Sequence, residues 1–439
     1  MSRFIENKRT KVKIHLDLDC FFVSAERARY KFLKNKCVVV AKGSDRKIFS
    51  TSKKDGLLIG ESGAFNSILQ FSNDYNKDTF LSNWKNEFLD SDGSIHGIVI
   101  AKSYECKPYG IKTGTYLGDA INMCKDVIIL PSDHLYYQSL SHKLKEFLDK
   151  RIPLIEQYSI DEFFGDLDGW INDEDVYDFI KELQAEILEK FDLPISIASS
   201  ESKWIAKLVT DTIKPYGIKV LNKEDVDEYI ADIDINDFPG IGRVISKKLS
   251  LASIKTLSQA KQYPNIFYAY GKTGVQLYKR ICGIDNEKVI PSQTRKGIGI
   301  SRNFAALSNR DELLRRVAIL ARYLSYTILK LNLNPTTFHF KIKYEYSLKA
   351  SKSVTIDRVF SEVFLIQLCK EIFISLDTHK NYKIHKISIH ASSFLSNNNQ
   401  KTLSLLTLSS DNTQAKLSQS LLEIRDKYGI DAIKYAIEC

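Results

Sequence analysis

Two short stretches combine acidic and aromatic residues in a way that ordinary packing does not explain. HLDLDCFF, residues 15–22, carries Asp17 and Asp19 between His15, Leu16, Leu18, Phe21 and Phe22. QYSIDEFFGDLDGW, residues 157–170, sets adjacent Asp161 and Glu162 among Tyr158, Ile160, Phe163 and Phe164. Carboxylates in apolar company lose hydration and repel one another unless a positive group neutralises them. A divalent cation would do this, and neighbouring strands could gather Asp17, Asp161 and Glu162 into one small volume. Oxygen-only ligation favours Mg²⁺, with Mn²⁺ possible, over zinc. Two such ions about 3.5–4 Å apart suit displacement at phosphorus, activating a hydroxyl and steadying a leaving pyrophosphate.

The elements that must hold these acids can be read around them. HLDLDCFF reads as a strand entering a core, with Asp17 and Asp19 on one face by alternation. YSIDEFF, followed by Gly165 and Gly169, reads as a hairpin-like strand pair with the acids at its bend. A chain of 439 residues is too long for one core, so several domains are expected. Its 44% hydrophobic and 27% charged content is that of a globular chain, and no apolar run approaches the roughly 20 residues of a membrane span. The charged start, MSRFIENKRTKVK, does not read as a secretory signal. Seven scattered cysteines without a C-x-x-C read as reduced, packed thiols.

The net charge of +9 is concentrated in one segment: residues 299–398 hold 15 Lys and Arg against 7 Asp and Glu. A basic face suits a polyanion, although a solvated lysine surface reads the same by charge alone. Pattern sharpens the reading. In TTFHFKIKYEYS, residues 336–347, Phe338, Phe340, Ile342, Tyr344 and Tyr346 alternate with His339, Lys341, Lys343 and Glu345. That is a half-buried strand with a largely cationic outer face. KIHKISIHAS, residues 383–392, repeats it with Lys386 outward, and helical stretches lie between. Upstream, DFPGIGRVISKKL places Gly240 and Gly242 before a helix bearing Arg243, Lys247 and Lys248. Glycines there let backbone N–H groups approach a phosphate with a helix N-terminus behind them, the pattern of a helix-hairpin-helix. Such a motif grips backbone without reading bases.

DLDCFFVSAE, SYECKPYGIKTG, YSIDEFFGDL, ESKWIAKLVTDTIKPYG and DFPGIGRVISKKL stand in the order found in Y-family DNA polymerases of the DinB and UmuC type. The chain resembles that family from about residue 11 to 300, and by pattern alone through 398. The resemblance implies a mixed, multidomain α+β fold shaped as a right hand. The palm would be 1–20 with 126–218, the fingers 21–125, the helix-hairpin-helix thumb 219–290 and a DNA-gripping little finger 299–398, followed by a tail, 399–439. It implies low-fidelity translesion synthesis in damage tolerance and repair, moving dNMP from dNTP to a primer 3′-hydroxyl with release of pyrophosphate and without proofreading. Primer–template DNA and dNTP would be its partners, with a monomeric chain in a bacterial cytoplasm.

Position by position, the resemblance makes Asp17 and the Leu18 carbonyl metal ligands. Asp161 would bridge both ions, and Glu162 would serve the one that lowers the pKa of the primer hydroxyl. Backbone N–H groups of Cys20 and Phe21 would face the triphosphate, and Phe22 would be the steric gate against a ribose 2′-hydroxyl. Tyr104, Lys107 and Lys203 would complete the nucleotide site, with Lys107 standing where most members carry arginine and so unable to form a bidentate fork. Asp19 is left with a supporting structural role.

A second departure is an insertion at about residues 44–96, expected as a folded addition to the fingers. After residue 396, TLSLL (402–406) loosely resembles a sliding-clamp peptide, and a short buried strand is the other reading. Two rivals remain open: a non-catalytic relative that keeps the fold, and a helix-hairpin-helix DNA-binding or glycosylase protein. The second leaves HLDLDCFF and YSIDEFF without a role.

Overall fold

The computed structural model describes residues 11–43, 46–49, 57–58, 70–71, 84–89, 93–291, 295–395 and 405–438. The chain divides into two compact units, residues 1–41 with 89–293, and residues 42–88 with 294–439. Among the described residues no helix is long and apolar enough to cross a membrane.

KIHLDL forms the centre of the first unit. Its strand, Lys13–Leu18, lies in a five-stranded sheet between Ile195–Ser200 and Glu162–Asp166, with Ile218–Val220 and Leu154–Gln157 outside them. It runs antiparallel to both neighbours and is buried along its whole length. The amphipathic helix Lys203–Thr212 packs on it, capped at its start by the Ser202 hydroxyl, which accepts the Ile205 N–H at 3.3 Å. The strand ends at Leu18. Cys20 then takes a left-handed conformation, φ +48°, and turns the chain into the helix Phe21–Arg29. Asp19 therefore sits in that turn and does not continue the strand face of Asp17, as simple alternation predicts.

A smaller sheet of Ile98–Lys102, Val38–Lys42 and Ile128–Pro131 leads into the short helix Tyr104–Tyr109. The Ser103 N–H donates to the Val38 carbonyl at 2.9 Å, which sets Cys106 beside Cys37. The two sulfurs face one another, with Cα atoms 5.0 Å apart. Their separation of 69 residues hides the pairing from the sequence. Cys20, Cys124, Cys282 and Cys369 are free.

The glycine turn behaves as its sequence predicts. Gly240 has φ +102°, and Gly242 precedes the helix Arg243–Leu251. Leu249, Ile254, Leu257 and Phe267 share one apolar core with Trp204, Leu208 and Val209, so these helices are continuous in packing with the helix behind the central strand.

In the second unit, four antiparallel strands run in the order Gly297–Leu307, Ile384–Phe394, Pro335–Tyr344 and Lys349–Thr355. Phe338, Phe340, Ile342, Ile387 and Ile389 point inward to the helices Arg310–Lys330 and Glu362–Leu376. Tyr346 departs from the predicted alternation: it lies beyond the strand end with φ +57° and is 82% exposed. Of the 44–96 insertion, Ile48 and Phe49 are buried in this second core, and the Arg316 guanidinium lies 4.5 Å from the Phe49 ring.

The C-terminal residues are built into the same unit. Arg425, on the helix Leu405–Tyr428, donates to Glu362 at 2.6 Å, and Arg322 pairs with Glu438 at 2.8 Å and with Asp431 at 2.7 Å. Buried charges of this kind persist only when paired, which fixes where the segment docks. Thr402 to Ser404 of the clamp-like TLSLL lie outside the described residues. Leu405 and Leu406 open a helix, so a strand there is not formed.

Candidate active site

Cross-strand pairing assembles the acids. Asp17 stands opposite Glu162 on one side and opposite Ser196 on the other. The Leu18 N–H donates to the Asp161 carbonyl at 3.0 Å, which brings Asp161 to the end of the same strand pair. Asp17, Asp161, Glu162, Leu18 and the turn Cys20–Phe22 line one open cavity of about 380 Å³. Ile100, Ala101, Lys102, Thr113, Asp211 and Lys214 also line it.

Charge in this cavity is poorly hydrated. Burial pushes the Asp17 carboxyl well above the usual carboxylate range, with Glu162 and Asp161 adding to the shift and Lys214 opposing it. Asp161 is raised for the same first reason, again with Glu162 contributing and the Ser159 hydroxyl opposing. Cations are drawn in to compensate. Lys214 Nζ lies 2.7 Å from Asp17 Oδ2, and Lys207 pairs with Glu162. Burial works against the charge on Lys214, but Asp17, Asp211 and Asp19 hold its pKa above the ordinary lysine value.

His15 was missed as a member of this group, although it opens the motif. Alternation places it on the face of Asp17, and ligand atoms of His15, Asp17 and Glu162 all lie within 4.8 Å of one another. Its ring nitrogens are buried without a hydrogen-bond partner among the described residues. Burial first, then Lys207, Lys214 and Lys203, keep the imidazole neutral, its ligating form. The donor set, three carboxylates with a neutral imidazole at hand, fits a divalent cation.

Three successive profiles of one family match: the impB/mucB/samB family at residues 65–211, the IMS family HHH motif at 223–252, and the impB/mucB/samB C-terminal domain at 295–405. Together they take in more than half of the chain. A DNA polymerase IV of Bacillus anthracis is 25% identical over 434 residues, 97% of this chain and 93% of its own. The chain belongs to the Y family of DNA polymerases, in its DinB branch.

A DNA polymerase IV of Clostridium kluyveri is 28% identical over 360 residues, covering 77% of this Y-family chain and 88% of the relative. Among solved structures, a Y-family DNA polymerase chimera superposes with a TM-score of 0.68 at 21% identity, over 88% of this chain and all of the chimera. A DinB from Sulfolobus solfataricus gives 0.51 at 20% identity, over 88% of this chain and all of its own. The first profile match contains Asp161 and Glu162 but begins after HLDLDCFF. It is the sheet register that joins Asp17 to them.

The nucleotide ligands expected from the family motifs divide in the structure. Phe22 lines the cavity with its ring stacked 4.5 Å from Tyr137 and met edge-on by His134. Cys20 and Phe21 also line it, at the start of a helix whose first N–H groups have no partner within the helix. Tyr104 Oη lies 3.4 Å from Asp19 Oδ1, and exposed Lys107 sits 4.5 Å from the Tyr104 ring.

Lys203 is not in the cavity. It is buried, pairs with Glu156 at 2.5 Å and lies over the Phe164 ring at 4.4 Å. Spacing of four from Lys207 does place both on one helix face, but that face turns Lys203 into the sheet's interior. The cavity's lysines are Lys214 and Lys102, neither of which was singled out from sequence. Lys214 follows the helix in KPYG, and Lys102 ends the strand that leads into SYECK.

Elsewhere in the Y-family chain the basic residues expected to face a polyanion take the positions that their patterns predict. Arg243, Lys247 and Lys248 are exposed beside the Gly240–Gly242 turn, with Lys248 5.2 Å from the Tyr270 ring. On the second unit's sheet, Lys349, Lys343 and Lys386 occupy one cross-strand row, with Lys341 two residues from Lys343 on the same face. Like charges set opposite one another destabilise a sheet. Burial, then Lys343 and Lys341, lower the Lys386 pKa accordingly.

Proposed function

We propose that the cavity is the polymerase active site, with Asp17, Asp161 and Glu162 as the metal-holding acids and two Mg²⁺ ions as the native metals. The pairing of Asp17 with Glu162 beside Asp161, in a cavity walled by the gate-like Phe22, carries this reading. The chain is a DNA-directed DNA polymerase of the translesion class, acting on DNA and dNTPs. When bound, the metal supplies Lewis acidity at the primer hydroxyl and charge neutralisation at the departing pyrophosphate.

The chain's own groups do the rest. The start of the helix Phe21–Arg29 offers N–H groups and the positive end of its dipole to the triphosphate. Lys214 and Lys102 add charge from two sides, and in the free protein Lys214 neutralises the acid it would leave as substrate enters. Phe22 closes the space beside the sugar. By this reading the palm is 1–20 with 126–218, the thumb 219–290 and the little finger 299–398, while the fingers expected at 21–125 keep only 21–41 and 89–125, because residues 42–88 belong to the second unit. The half-buried lysine row and the helix-hairpin-helix track DNA phosphates, which relieves the like-charge crowding on the sheet.

Metal-dependent extension of a primer on undamaged and lesion-bearing templates tests the function. Extension on both is expected, and DNA binding without nucleotide incorporation would overturn it. Replacing Lys341, Lys343 and Lys386 with alanine is expected to weaken DNA binding and make the slope of log K against log salt shallower by about 2–3, at roughly 0.9 for each phosphate no longer neutralised. Binding measured across a salt series checks this, and an unaltered slope removes the sheet from the DNA interface.

A further inference from the structure

Asp19 is 1% exposed, and the cavity acids do not account for it. Three donors converge on its carboxylate. The Tyr216 N–H reaches Oδ2 at 2.7 Å, the Ser196 hydroxyl lies 3.1 and 3.2 Å from the two oxygens, and Tyr104 Oη stands 3.4 Å from Oδ1. Ser196 is held in turn by the Gly217 N–H at 3.3 Å, and the Asp19 carbonyl takes the Ser24 hydroxyl at 2.5 Å. Both ends of the residue are therefore fixed. A carboxylate so occupied is not available as a metal ligand, which separates Asp19 from Asp17.

What these donors carry decides the role. Tyr216 lies two residues after Lys214, in the turn that delivers that lysine to Asp17. Tyr104 opens the short helix that bears Lys107. One carboxylate thus joins the turn behind the sheet to the helix that follows the smaller sheet. We infer that Asp19 is a positioning residue: by holding the turn of Tyr216 and the start of the Tyr104–Tyr109 helix, it keeps Lys214 and Lys107 in register so that both reach the triphosphate of one incoming nucleotide. The inference rests on the polymerase reading of the cavity. The short bond from the Tyr216 N–H, at 2.7 Å, anchors the turn, and the longer hydroxyl contacts complete a buried set whose loss frees both arms.

Steady-state kinetics of dNTP incorporation, with DNA affinity measured alongside, tests this. Asp19→Ala is expected to raise KM for dNTP about tenfold, to change kcat less than threefold and to leave the Kd for primer–template DNA unaltered, since binding rather than the chemical step is perturbed. Asp19→Asn can accept from Tyr216 through Oδ1 and donate to Ser196 and Tyr104 through its amide, so it is expected to recover most of the lost affinity. Tyr104→Phe is expected to raise KM in the parent and to have little further effect in Asp19→Ala, because the two act through one contact.

An unchanged KM in Asp19→Ala, a fall confined to kcat, or additive effects of Asp19→Ala and Tyr104→Phe would each overturn the inference. If Asp19→Ala does not fold, Ser196→Ala leaves the carboxylate in place and removes one donor. A KM rise of about threefold then supports the role, and none refutes it. A parent protein without metal-dependent extension would instead defeat the polymerase reading itself.

Discussion

Asp161→Ala is expected to lower primer extension by about a thousandfold or more, while leaving the metal-free protein as stable as the parent or more stable. The two effects have one cause. Asp161 and Asp17 are both held above the ordinary carboxylate range by burial and by neighbouring acids, so the free protein contains charge it does not want. Removing one carboxylate relieves that repulsion and costs the Ser159 contact, a backbone N–H contact and the attraction of Lys214. The same removal deletes the acid that lies beside Glu162 and at the end of the strand carrying Asp17. Sites built for function commonly oppose stability in this way. Single-turnover extension and thermal unfolding in chelator check the two halves. Added Mg²⁺ is expected to raise the parent's Tm and not the variant's, because a ligand stabilises only the state that binds it. Activity within tenfold of the parent, or a marked loss of metal-free stability, would mean that Asp161 serves the fold and not the chemistry.

The reach of the sequence follows the physical range of each signal. Period-two alternation is local, and it located Lys13–Leu18 and the lysine-faced strands Pro335–Tyr344 and Ile384–Phe394. Acids in apolar surroundings are also a local signal, so Asp17, Asp161 and Glu162 could be named together before their strands were known to pair. Turns break such rules. Asp19 leaves the strand because Cys20 reverses the backbone, and Tyr346 leaves its strand at another positive-φ turn. Lys203 shows the limit of helical spacing, which places two lysines on a face without saying what that face meets. Glu156 waits inside for Lys203, whereas the lysine that reaches Asp17 lies past the helix end, where no period applies. Contacts such as Cys37 with Cys106, Arg322 with Glu438 and Arg425 with Glu362 depend on the completed topology. Nothing near either partner in sequence announces them.

Phe22→Ala should admit ribonucleotides, reducing discrimination against the 2′-hydroxyl by on the order of a hundredfold or more while dNTP incorporation falls less. The ring can exclude a hydroxyl only if it cannot swing away, and its surroundings prevent that. Phe22 stacks on Tyr137 with an interplanar angle of 16° at 4.5 Å, with His134 edge-on at 5.7 Å. Tyr137 is itself fixed: its hydroxyl donates to Glu26 at 2.6 Å, and Glu26 receives two bonds of 2.8 Å from Arg29. Arg29 is anchored further by Asp133 at 2.9 Å. A chain of buried polar contacts therefore stiffens an apolar wall of the cavity. Exclusion by a rigid ring is steric, so it acts on the substrate with the extra hydroxyl and is neutral to the one without it. Incorporation of matched dNTP and rNTP by parent and variant measures the ratio directly. Unchanged sugar discrimination in Phe22→Ala would remove Phe22 as the gate. Equal losses for both substrates would make the ring a packing residue of the helix Phe21–Arg29 and nothing more.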